Sequence, residues 1–233
     1  MKGYDKYPLN SGILLDLPFR EGTGLITHDM AKPHHIATLT GPPTWDTVGT
    51  LGVLDFDGAT EYLQVPGADT VDLDFTGDFT LAAWVYPVYT VQPMVIMCRN
   101  TTDVDGWCMY LYVDVVLGNT LSLRTNQAAA HTDCYGAGFP ASEWQLVGYS
   151  RNQAGLTATC YRNGGPIITN FGPFGILDPV ACGAGNKLLV GVQDGEISAF
   201  YGGKMWRPRA WPRELAAWEW LELFHKERDL FNV

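Results

Sequence analysis

From Leu51 onward apolar residues recur at every second position, and Gly, Asn, Asp or Pro interrupts the pattern at short intervals. A period of two places alternate side chains on opposite faces of a pleated strand, so the chain is constrained to antiparallel strands joined by tight turns. Phe79, Leu81, Ala83 and Val85 fall on one face and Thr80, Ala82, Trp84 and Tyr86 on the other, and both faces are apolar enough for burial. Trp107, Met109, Leu111 and Val113 alternate with Cys108, Tyr110, Tyr112 and Asp114, after which Leu117 to Asn119 turns the chain into Thr120 to Thr125. That pattern predicts a hairpin. Gln145 to Tyr149 and Thr157 to Arg162 are two further strands, and Asn163-Gly164-Gly165 supplies residues that tolerate the positive φ of a tight turn. Lys187 to Val192 and Gly203 to Arg209 complete the strand pattern. With 26 Gly and 14 Pro among 233 residues and only 17% charged side chains, coiled coils and helical bundles are excluded. One segment departs from this: Ala217, Trp220, Leu221 and Phe224 recur at helical spacing after Pro212, which predicts a closing helix over about 212–225. Glu222 and Lys226 are spaced for an i,i+4 pair on its wet side.

Charge and cysteine usage narrow the partners. Fifteen basic against 25 acidic residues give a net charge of −10, which repels a phosphate backbone, so nucleic acid is not an expected partner. No apolar run approaches the roughly 20 residues of a membrane span, and Met1 to Phe19 offers no signal-peptide core. Five cysteines, odd in number and without C-x-x-C spacing, predict free thiols rather than a disulfide framework or zinc site. No linker or low-complexity tract divides the chain, so a single domain over 1–233 is expected.

Several stretches resemble the laminin G-like, concanavalin A-like jelly rolls, in the family's order. Leu14 to Gly24 is similar to the opening strand and turn, and Leu39-Thr40-Gly41 with Trp45 to the segment before the second strand. Leu54 to Pro66 followed by Asp78 to Val85 is the most specific match. Trp144 to Val147 leading to Cys160-Tyr161-Arg162-Asn163-Gly164 resembles a strand pair ending in an Asn-Gly hairpin. Gly203 to Arg209 and Arg213-Glu214-Leu215 resemble the last strand and the start of its helix. The resemblance implies an all-β fold, a two-sheet antiparallel jelly-roll sandwich with a short C-terminal helix. Trp206 and Arg207 stand where the family usually places two acidic residues that hold calcium.

Candidate sites follow from residue types. Asp57 and Glu61, matching the family's acidic turn, either cap that turn or ligate calcium. Asp103 and Asp105 resemble the front of a calcium loop that lacks its third acid and distal Glu. Tyr110 and Tyr112 share one face of the hairpin, where they either stack on sugar rings or form a second buried layer. Lys204, Arg207, Arg209 and Arg213 form a basic strip, read either as a solvated edge strand or as an interface for an acidic neighbour, including another copy. His34-His35 and the His131, Asp133 and Cys134 cluster are expected in solvated connections.

No catalytic residues are assigned. Laminarinase-type hydrolases carry Glu-x-Asp-x-x-Glu on one strand, and the nearest match, Glu227 to Asn232, follows the helix and ends in Asn. The expected function is therefore a non-catalytic structural or adhesion subunit of a larger extracellular assembly such as a virion, binding neighbouring protein subunits or a surface glycan. The ending Leu223 to Phe231 supports it by resembling laminin G-like domains of phage structural proteins. Alternatives are a freestanding lectin, calcium-assisted or not and cytoplasmic or displayed, and thirdly a glycoside hydrolase.

Overall fold

The computed structural model describes residues 4–88, 93–167, 169–171 and 175–233. The strands are β1 (Leu15–Asp16), β2 (Ile26–His28), β3 (Ile36–Thr40), β4 (Thr44–Val48), β5 (Leu51–Asp57), β6 (Tyr62–Val65), β7 (Phe79–Pro87), β8 (Met94–Thr101) and β9 (Asp105–Asp114). There follow β10 (Gly118–Gln127), β11 (Ala130–Ala137), β12 (Gln145–Asn152), β13 (Thr157–Arg162), β14 (Gly165–Ile167), β15 (Thr169–Phe171), β16 (Leu188–Val190), β17 (Gly202–Trp211) and the helix α1 (Ala217–Glu227). They form an eight-stranded sheet, β14-β13-β12-β7-β17-β5-β4 with β1 on β17, and a nine-stranded sheet, β15-β11-β10-β9-β8-β16-β6-β3-β2. Two facing antiparallel sheets of this kind are a jelly-roll sandwich.

The alternation decides which residues meet between the sheets. Phe79 of β7 lies 6.5 Å from Trp107 of β9, ring to ring, and the Tyr149 hydroxyl of β12 crosses the core to donate to the Leu121 carbonyl of β10 at 2.6 Å. The opposite face of the eight-stranded sheet is covered by α1 and the chain end. Trp220 stacks on Tyr161 at 4.6 Å and donates to Ser150 Oγ at 2.8 Å, while Trp84 stacks on Phe231 at 4.3 Å. This second covered face explains why β7 is apolar on both sides. Among the described residues no such helix covers the outer face of the nine-stranded sheet.

The helix starts later than its periodicity predicts. Thr80 Oγ1 accepts the Leu215 N–H at 2.9 Å and donates to the Arg213 carbonyl at 2.8 Å, pinning the chain extended beyond Pro212. Glu219 then accepts the Ala216 N–H at 2.9 Å, which opens the first turn. The buried stripe is Trp220, Leu223, Phe224 and Glu227, whereas Ala217 and Leu221 are exposed. Glu222 and Lys226 pair at 2.5 Å as their spacing predicts.

The basic strip is also corrected. β17 is interior to its sheet, between β7 and β5, so it is not an edge strand, and a bulge between Trp206 and Arg209 accommodates Arg207 at φ 57°. All four cations are ion-paired within the chain. Lys204 pairs with Asp46 at 2.5 Å, Arg207 with Asp16 at 2.8 Å, Arg209 with Glu227 at 2.8 Å and Arg213 with Glu219 at 2.8 Å. Arg209 is 1% exposed. Burial opposes the charge on Arg207, but the Asp16 and Glu227 carboxylates outweigh it and hold its pKa above the usual guanidinium value.

Candidate functional site: a cleft on the outer face of the nine-stranded sheet

Pairing of β9 with β10 places Cys108 opposite Arg124, Tyr110 opposite Ser122 and Tyr112 opposite Thr120. Because Trp107, Met109 and Leu111 fill the core, strand alternation turns Cys108, Tyr110 and Tyr112 to the outer face. There Tyr110 packs against a second apolar cluster that includes Val95, Cys98 and Cys108, while Tyr112 is 39% exposed. The two tyrosines differ: the Tyr110 ring is seated against the outer cluster and the Tyr112 ring is wet.

The segment between β16 and β17 raises a wall beside them. The Val95 N–H donates to the Ala199 carbonyl at 3.0 Å, and the Gln193 N–H donates to the Ser198 carbonyl at 3.3 Å. The Tyr62 hydroxyl donates to Glu196 at 2.6 Å. At the far end, Asp194 accepts the Thr102 N–H at 2.9 Å and the Thr102 hydroxyl at 2.8 Å. Between this wall and the tyrosines is a cleft of about 310 Å³. Val95, Cys108, Tyr110 and Arg124 lie along it, Asn100, Thr102 and Gln193 close one end, and Pro93 and Tyr112 border it. Beyond Tyr112 the hairpin ends in Val115, 97% exposed, and Val116, 83% exposed, so the chain beside this cleft carries bare apolar side chains.

Electrostatics fix the floor. Arg124 is gripped at both ends by Asp133, Nε to Oδ1 at 2.8 Å and Nη2 to Oδ2 at 2.9 Å, with its guanidinium 5.6 Å from the Tyr110 ring centroid. That pair holds the Arg124 pKa above its usual value, and burial, followed by the nearby Asp133 charge, pushes the Tyr110 phenol up. Tyr110 therefore keeps its proton at neutral pH and offers a hydroxyl. Among the described residues no Asp or Glu lines the cleft, which leaves it without the carboxylate couple of glycoside hydrolysis.

Only part of the predicted site assembles here. Asp103 and Asp105 do not line the cleft; they build the β8–β9 turn at its end. Asp103 contacts His131, and Asp105 Oδ1 accepts the Thr101 N–H at 2.7 Å and the Asn186 amide at 2.6 Å. Asp57 accepts the N–H groups of Ala59, Thr60 and Glu61 at 2.8, 2.9 and 3.2 Å, and Glu61 accepts the Asp57 N–H at 2.7 Å. These two acids close the turn between β5 and β6. Among the described residues no three His, Cys, Asp or Glu side chains gather as a metal set. His131 and Asp133 sit on β11, not in a connection, because β11 pairs along β10 from Ala130 to Ala137. Arg124 and Gln193 are not among the residues that the sequence marks as a site. Arg124 could have been found from its register against Cys108 and Asp133, whereas Gln193 reaches the cleft from ninety residues away with no local signal.

A family model described as the concanavalin A-like lectin/glucanases superfamily matches residues 57–219. No curated protein matches the chain. Solved structures resemble it widely at low identity. One, from botulinum neurotoxin type C, whose cell entry depends on interaction with two ganglioside molecules, has a TM-score of 0.68 at 13% identity, over 94% of this chain and 52% of that one. The binding domain of botulinum neurotoxin DC in complex with SialylT gives 0.69 at 13%, over 94% and 52%. The binding domain of Paraclostridial Mosquitocidal Protein 1 gives 0.70 at 14%, over 94% and 53%. The chain thus spans about half the length of these solved chains, and the likeness is one of fold. With the family match covering well over half of its residues, the chain belongs to the concanavalin A-like lectin/glucanase superfamily.

Proposed function

We propose that the chain is a non-catalytic adhesion module that recognises a surface glycan through the outer cleft of the nine-stranded sheet, displayed on a larger assembly such as a virion. The observation that carries this reading is the pairing of a seated Tyr110 with an exposed Tyr112 beside hydrogen-bonding side chains, in a cleft lined by no carboxylate. Aromatic faces stack on the apolar faces of sugar rings while amides and hydroxyls meet their hydroxyl groups. Glycans are also the partners named for neurotoxin structures of the same fold. The virion setting rests on the resemblance of Leu223 to Phe231 to phage structural proteins.

Binding on this account needs no calcium. Asp57 is occupied by turn donors and Asp105 Oδ1 by Thr101 and Asn186, and among the described residues neither joins a group of three His, Cys, Asp or Glu side chains. A glycan array with and without chelator tests the proposal. We expect binding that survives chelation and falls about tenfold or more in Tyr112→Ala, a loss of about 1.4 kcal/mol. An array on which the folded protein binds nothing overturns it, as does Tyr112→Ala binding like wild type. Co-sedimentation with the particle that displays it tests the setting, and a protein found only free of any assembly contradicts that part.

A further inference from the structure

The outer face holds a second cleft, of about 350 Å³, that shares Asn100 with the first. The wall between them is the Thr102–Asp194 contact: Thr102 lines the first cleft and Asp194 the second. Asn100 is 5% exposed, and among the described residues its only side-chain hydrogen bond is a 3.5 Å contact from Nδ2 to Thr102 Oγ1. Its Oδ1 is buried and has no partner among the described residues. A nearly buried carboxamide with unused hydrogen-bonding capacity costs stability unless a further group completes it, and the two clefts are the spaces that adjoin Asn100.

We propose that the two clefts are successive subsites of one groove, that the ligand is a neutral oligosaccharide of at least two residues, and that Asn100 reads a hydroxyl at the junction. This deepens the glycan reading and rests on it. The first subsite presents the tyrosine rings and the second presents polar groups: Asn186, Lys187, Asp194 and Glu196. Lys187 is already held by Glu196 at 2.5 Å, so the second subsite carries one carboxylate in excess and disfavours an acidic sugar.

The test is an array bearing matched mono-, di- and trisaccharides that share a terminal residue, in neutral and sialylated forms, read with wild type and Asn100→Ala. Lys187→Ala, which alters only the partly exposed second cleft, serves as the independent variant should Asn100→Ala not fold. The expected result is at least tenfold tighter binding of the neutral disaccharide than of its terminal monosaccharide. Asn100→Ala should erase that gain, the disaccharide then binding the variant no tighter than the monosaccharide. Equal binding of mono- and disaccharide, a preference for the sialylated forms, or a gain untouched in both variants overturns the two-subsite groove and leaves the first cleft standing. Failure of every glycan to bind removes the parent reading, and this one with it.

Discussion

Glu227 shows how much one side chain organises. It is almost fully buried and accepts hydrogen bonds from Trp84 Nε1 at 2.7 Å, Arg207 Nη1 at 2.6 Å, and Arg209 Nη1 and Nη2 at 2.9 and 2.8 Å. Glu227→Ala leaves two guanidinium groups short of a counter-charge under the helix, and the expected loss is about 3–5 kcal/mol by urea unfolding at neutral pH. A loss below about 1 kcal/mol would show that the cluster does not hold α1 down. His35 makes a pH-dependent contribution. Burial opposes its protonation, but Asp29 at 2.6 Å and Asp72 at 3.2 Å outweigh that and raise its pKa from 6.5 to about 9. A raised pKa means that the protonated form stabilises the fold. The contribution is fully present below about pH 6.5 and is lost as pH rises through about 9. The unfolding midpoint should therefore fall across that window in wild type and not in His35→Gln; parallel falls in both would contradict this assignment.

Among the elements, the β8–β9 end is the most tightly specified. Gly106 has φ +71°, and a Cβ there would meet the Arg99 carbonyl oxygen at 1.9 Å. Gly106→Ala should cost about 3 kcal/mol or more, since backbone must move, and should weaken glycan binding because Asn100 and Thr102 lie on the same turn. Unchanged stability would show that this turn is not the fixed end of the cleft. The elements differ in how far the sequence discloses them. β7, the β9–β10 hairpin and the Asn163-Gly164 turn are legible because alternation and positive-φ residues are local signals. The start of α1 is not, because Thr80, more than a hundred residues upstream, sets it. β11 is obscured by its Gly, Ala and polar composition, and its strand state is fixed by pairing with β10. Half of the cleft was readable for the same reason: Tyr110 and Tyr112 follow from period two, but the wall that makes them a site comes from the segment before β17.

At the scale of the molecule, the two sheets have different roles. The central strands β12, β7 and β17 of the eight-stranded sheet are buried on both faces, against the partner sheet and beneath α1 and the chain end, and β17 with the residues just after it gathers the cations that the sequence presents as an open strip. The nine-stranded sheet keeps an outer face that no helix covers among the described residues, and the tyrosines lie there. A chain of net charge −10 whose cleft arginine, Arg124, is neutralised by Asp133 should show little salt dependence in glycan binding, in contrast to a site driven by cations. Affinity that falls tenfold at raised ionic strength would point to an electrostatic partner instead. The most direct measurement is a backbone amide NMR titration with the strongest neutral disaccharide from the array. Shifts concentrated at Val95, Thr102, Tyr110, Tyr112 and Gln193 are expected; shifts centred on Asp57 to Glu61 or on Lys204 to Arg213, with the outer cleft silent, would contradict recognition at the outer cleft.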